Sequence, residues 1–168
     1  VATAPNLVRV IIGVDPATTA SKASDFTGIA AVGKGEDGDY YVLSARQFKL
    51  SPHGWASKAL DVHDQFSGDR IVAETNNGGD MVLTTIRGVN PNAPLKKIVA
   101  SKGKTVRAEP VAAMYEQGVV HHVGEHPDAE SQMCSFPVAT ENDDIVDALV
   151  YAITELSDGS QHRHDGTL

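Results

Sequence analysis

Four carboxylates stand at positions that a fold is expected to bring indoors. Asp15 closes the apolar run LVRVIIGV at 7–14, and Glu74 lies at the end of a second one, RIVAET at 70–75. Asp144 and Asp147 open the stretch NDDIVDALVYAI at 142–153. Spaced i and i+3, they share one helical face, about 5–6 Å apart. On a wheel of about 100° per residue, Ala148 and Tyr151 fall on that same side, and Ile145, Leu149, Ala152, Ile153 and Leu156 on the other. A carboxylate carried into an interior is costly unless it is paired or binds a metal. Acids at two strand ends and on one packed helix can converge. Such an all-oxygen set suits hard cations such as Mg²⁺ or Mn²⁺. Two such ions, about 3.5–4 Å apart, promote hydrolysis of a phosphodiester. Each acid alone has a plainer reading. Asp15 before Pro16 is a turn former, Asp143 and Asp144 favour a helix N-terminus, and Glu74 can serve a salt bridge. Taken together they read as a metal site.

The elements that must position these acids follow from periodicity and turn chemistry. Strands are predicted over Leu7–Val14, Phe26–Val32 and Tyr40–Leu50, the first stopped by Pro16, which cannot donate to a ladder. The turns between them make an antiparallel meander. Ser51-Pro52 opens a helix, with serine as N-cap and proline at the first helical position, and Gly68 ends it. Arg70–Thr75 is a fourth strand, Asp80–Val89 a helix, Leu95–Ala100 a fifth strand and Thr105–Gln117 a helix whose first turn Pro110 disturbs. Gly118–Val123 is extended, 126–137 is a loop or short helix, and Asn142 opens a last helix to about Leu156. Residues 1–6 read as a linker, 7–157 as one domain and 158–168 as a disordered polar tail. A meander followed by alternating strands and helices predicts an α/β fold, a mixed sheet with helices on both faces.

Composition narrows the class. A chain of 168 residues builds one core of ordinary size. No apolar run reaches the ~20 residues that span a bilayer, so no membrane partner is expected. One cysteine, Cys134, leaves neither a disulfide framework nor a cysteine-rich zinc site, and a reducing, intracellular setting is the default expectation. Cys134 itself is expected as a small buried hydrophobe. A net charge of −8 argues against a protein that coats nucleic acid, but not against an enzyme that holds cations among carboxylates.

The segments GVDPA and SDFTGIAAVG within 13–33, VAETNNGG at 72–79, KTVRAEPVAAMYEQGVVHHVG at 104–124 and NDDIVDALVYAI at 142–153 resemble the nuclease domain of the large terminase subunit of tailed bacteriophages. The resemblance runs from about Leu7 to Leu156. The D-x-x-D-A-L motif also marks RuvC-type resolvases, and the RAEP segment favours terminase. The resemblance implies an RNase H-like fold with a sheet of five or more strands in order 3-2-1-4-5. It implies Asp15, Glu74 and Asp147 as ligands of two Mg²⁺ or Mn²⁺ ions, with Asp144 a fourth ligand or a supporting group. It also implies an endonuclease that cuts concatemeric double-stranded DNA during genome packaging. Its partners would be an N-terminal ATPase motor of the same protein, the portal and the small terminase subunit, at the procapsid in the host bacterial cytoplasm. Relatives often carry histidine where Asn142 stands, and an N-cap role suffices for Asn142 here.

No G-x-x-x-x-G-K-[ST] loop occurs, so the ATPase motor is not expected in this chain. Lys96, Lys97, Lys102, Lys104 and Arg107 fall in a stretch without acids, and the resemblance assigns Lys102, Lys104 and Arg107 to DNA phosphates. Asn76–Gly79 reads first as a turn. His121 and His122, adjacent on a strand, point to opposite faces and are not expected to share a metal. Two other readings stand beside the terminase one: a RuvC-type resolvase of branched DNA, and an actin-like or sugar-kinase-like nucleotide-binding domain.

Overall fold

The computed structural model describes residues 1–16, 26–74, 80–98, 103–136 and 143–161. Three strands come first: β1 (Leu7–Asp15), β2 (Thr27–Gly35) and β3 (Tyr40–Phe48), joined antiparallel. Then follow α1 (Pro52–Gln65), β4 (Arg70–Glu74), α2 (Met81–Val89), β5 (Leu95–Ile98) and α3 (Lys104–Glu116). The chain continues through β6 (Val120–His122), α4 (Pro127–Ser135) and α5 (Asp144–Gln161). The six strands form one mixed sheet in the order β5-β4-β1-β2-β3-β6. The expected order 3-2-1-4-5 lies within it. The extended stretch near Gly118 supplies the sixth strand, which pairs parallel to β3.

β1 is the centre. It pairs antiparallel with β2 and parallel with β4. Val10, Ile12 and Val14 face α1 and α2, while Ile11 faces the layer of α3, α4 and α5. Burial on both faces explains why this strand reads as a continuous apolar run rather than an alternating one. Local signals set the ends of α1 as expected at its start: the Ser51 hydroxyl accepts the Gly54 N–H at 3.2 Å and Pro52 sits at the first turn. At its other end the reversal falls on Ser67, at φ 52°, one residue before the expected Gly68.

α5 decides where the acids go. A Cβ at Gly13 would collide with the backbone carbonyl of Ala148, and one at Gly28 with the carbonyl of Asp144. Glycine at these two positions therefore lets the helix backbone lie directly on β1 and β2, and Ala148 is the small residue at the crossing. The wheel gave α5 one apolar side. In the structure Val146 and Val150 are buried as well, because α3 and α4 cover the outer side. The helix also runs to Gln161, past the expected end near Leu156, and residues 162–168 lie outside the described ones.

At the far end of α5, Glu155 is only 6% exposed. Its carboxylate meets Lys96 at 2.9 Å, Arg70 at 3.1 Å and Arg9 at 3.6 Å, and so ties the helix to the starts of β1 and β4 and to β5. Lys97, next along β5, turns the other way and pairs with Asp80 at 3.8 Å. Lys96 and Lys97 of the basic run thus lie on opposite faces of the sheet. Cys134 is exposed, not buried: α4 buries Ala129 and Gln132, three residues apart, and Cys134 points off that stripe.

Gly13→Ala should lower the unfolding free energy by ~1–3 kcal/mol, the usual cost of overpacking. That corresponds to roughly 2–10 °C in Tm for a domain of this size. An unchanged thermal transition would show that the helix does not rest on the strand as described.

Candidate metal centre

The β1–β4 register runs through Val14↔Ala73, and Asp15 and Glu74 are the next residue on each strand. Ile11 and Val72 on these strands belong to the α5-side core. The two-residue period therefore puts Asp15 and Glu74 on that same side, next to one another. On the other flank Asp15 is paired with Gly28, over which the Asp144 carbonyl lies. Asp147, one turn further along α5, is 8% exposed. Strand ends and helix start thus meet at one end of the sheet, and the sequence-predicted acids share that end.

Tyr151, one turn beyond Asp147, marks the place. Its hydroxyl donates a hydrogen bond to Glu74 Oε2. Its pKa is pushed far up, first by burial, then by the charge of Asp15, the bond to Glu74 and the charge of Asp147. A single phenol therefore lies in the field of all three expected ligands. Arg107 of α3 completes the group: its Nη1 stands 3.4 Å from the same Glu74 oxygen and its guanidinium 5.8 Å from the Tyr151 ring centre. Burial pulls the Arg107 pKa down, and the nearby Glu74 and Tyr151 more than offset it, so the net shift is upward. Arg107 Nε is buried and has no hydrogen-bond partner among the described residues.

The donor chemistry fits a hard divalent ion, being carboxylate oxygen throughout. As they stand, however, no three His, Cys, Asp or Glu side chains among the described residues are gathered closely enough to hold one ion. At Glu74, Oε2 is engaged by the Tyr151 hydroxyl and the Arg107 guanidinium.

The remaining expectations divide. Arg107, expected at DNA phosphates, points inward at Glu74. Lys104 opens α3. Lys102, the Asn76–Gly79 turn and Asn142 lie outside the described residues. The carbonyl of Asp143 accepts the Asp147 N–H at 2.9 Å, a bond within the first turn of α5. The histidines have separate partners. His121 meets Asp39 at 2.8 Å, and His122 meets Tyr115 at 2.9 Å and Glu130 at 3.1 Å.

Two contributors escape sequence reasoning. Gln132 of α4 accepts the Ile145 N–H at 3.0 Å and donates to Gln47 at 3.0 Å, which pins the first turn of α5 from outside. No local pattern announces it. Tyr151 was legible as a neighbour of the acids, four residues after Asp147, but its grip on Glu74 was not.

A family model described as the terminase RNaseH-like domain matches residues 12–156. The chain belongs to that family. By sequence alone it matches no curated protein. Among solved structures, the large terminase nuclease of thermophilic phage G20c with bound zinc superposes with a TM-score of 0.69 at 14% identity, covering 88% of this chain and 81% of that one. The HK97 bacteriophage large terminase gives 0.66 at 12% identity, covering 90% of this chain and 40% of that one. The yeast mitochondrial Holliday junction resolvase Ydc2 gives 0.54 at 12% identity, over 89% and 78%. The terminase domain therefore has the RNase H-like fold shared with resolvases, and the family match decides against the actin-like alternative.

Tyr151→Phe in the terminase domain removes a hydrogen bond to a charged acceptor and should cost about 1.5–3 kcal/mol in denaturant unfolding. A variant as stable as the parent would mean that the bond to Glu74 adds nothing.

Proposed function

We propose that the chain is the nuclease domain of a viral genome-packaging terminase, a metal-dependent endonuclease that cuts concatemeric double-stranded DNA. One observation carries this reading: Asp15 and Glu74 sit side by side at adjacent strand ends, and one buried phenol feels both of them and Asp147. The metal-bound G20c nuclease structures, with zinc, cobalt or magnesium, support the use of divalent ions on this fold.

In this reading Asp15, Glu74 and Asp147 hold two Mg²⁺ or Mn²⁺ ions, and Asp144 is a fourth ligand or steadies the others. When bound, the ions supply Lewis acidity that activates water and offsets charge on the leaving 3′ oxygen. The protein's part is to hold its acids in a fixed cluster that the ions can bridge. Gly13, Gly28 and Ala148 let the helical acids reach the strand acids. Tyr151 orients Glu74. Lys102 and Lys104 serve backbone phosphates, which gives contact without sequence readout. An ATPase motor elsewhere in the full-length protein, the portal and a small terminase subunit bring DNA to the domain, at the procapsid in the host bacterial cytoplasm. The 40% coverage of the HK97 large terminase chain is consistent with a nuclease that works as one part of a larger protein.

The likeness to Ydc2 keeps a branched-DNA resolvase as the second reading, and a preference for a four-way junction over linear duplex would favour it.

Supercoiled plasmid should be nicked and linearised with Mn²⁺ or Mg²⁺ and left intact with EDTA. Asp15→Asn should lower the rate by more than the ~10–100-fold that loss of a group supporting a metal ligand costs, with the fold retained. An Asp15→Asn protein that cuts like the parent would remove the assignment.

A further inference from the structure

We infer that Arg107 is the built-in counter-cation of the metal centre: its guanidinium pairs with Glu74 and is exchanged for the metal when ions bind. The inference rests on the metal-dependent reading and names a positioning residue within it. Three observations carry it.

The first is that Glu74 is not presented as a free ligand. Its Oε2 is shared by the Tyr151 hydroxyl and Arg107 Nη1, and no ion-ready cluster of three acids exists among the described residues. For Glu74 to meet an ion through Oε2, the positive charge already beside that oxygen must give way. Two cations at one carboxylate repel each other.

The second is that the Arg107 pair is loosely made. Its separation is 3.4 Å, against the 2.7–2.9 Å usual for a charge-assisted bond. Its Nε is buried and meets no hydrogen-bond partner among the described residues. Glu155 shows what a permanent clamp in this protein looks like. There a buried acid meets two of its three cations at 2.9 and 3.1 Å. The Arg107 side chain is partly exposed to water, which lowers the cost of displacing it from Glu74.

The third is that the side chain has somewhere to go. Arg107 and Tyr151 line a cavity of about 260 Å³ between α3 and α5. Its walls include Val106, Pro110 and Met114, and Thr154, Ser157 and Asp158 border it with polar groups. The arginine stem can lie along the apolar wall while its head reaches water or Asp158.

The test measures ion binding and the arginine directly, on the 168-residue chain. Calorimetric titration with Mn²⁺ should give binding by the parent and none by Asp147→Asn. Arg107→Met, which keeps the apolar stem and removes the charge, should bind Mn²⁺ about tenfold more tightly, the effect of one charge a few ångströms away. Arg107→Lys should stay within about threefold of the parent. That separates charge from packing. In ¹H–¹⁵N spectra the Arg107 Nε–H signal, identified by its loss in Arg107→Met, should move and exchange faster with water as Mg²⁺ saturates the site. Parent binding with an Arg107 signal that does not respond to Mg²⁺, or with Arg107→Met affinity equal to or below the parent's, would overturn the exchange alone. No Mn²⁺ binding by the parent, or undiminished binding by Asp147→Asn, would overturn the metal reading and the exchange with it.

Discussion

The distance between α5 and the sheet governs everything else in this molecule. A helix normally stands off a sheet by the length of its side chains. Here two glycines, one on β1 and one on β2, remove the side chains that would hold it away, and helix backbone meets strand backbone. The consequence is chemical as well as steric. Asp144 and Asp147 are short side chains, and only a helix lying this close delivers them to Asp15 and Glu74 at the strand ends. The same contact encloses α5, with the sheet beneath it and α3 and α4 above.

Carrying carboxylates into such a contact creates a charge problem that the protein answers in two ways. At Glu155 the answer is structural. Arg9, Arg70 and Lys96 surround a buried acid and fasten α5 to β1, β4 and β5. Removing one partner of such a cluster leaves charge without compensation, which is why buried ion groups persist once established. At the other end of the helix Glu74 meets the Arg107 guanidinium and the Tyr151 hydroxyl, and Asp15 and Asp147 lie in the field of the same phenol.

Much of the fold was legible because its signals are local. The apolar run of β1, the Ser51-Pro52 start of α1 and the spacing of Asp144, Asp147 and Tyr151 can each be read within a few residues. What could not be read depends on partners far along the chain. The extended stretch at Gly118–Val123 was readable, but its pairing with β3 was not. Val146 and Val150 are buried because α3 and α4 arrive over them. Arg107 looked like a member of a basic run, yet its charge is directed at an acid 33 residues earlier. Lys96 was likewise drawn from that run by Glu155. Among the acids, residue type, strand-end position and helical period pointed to one place. The hydrogen bonds that hold Glu74 there belong to tertiary structure alone.

The most direct measurement is a crystal of the domain soaked in Mn²⁺ and examined for anomalous scattering. The account predicts one or two manganese peaks between the strand ends and the first turns of α5. Carboxylate oxygens of Asp15, Glu74 and Asp147 should stand at bonding distance from them. Manganese elsewhere, or none, with the three carboxylates turned away from one another, would contradict it.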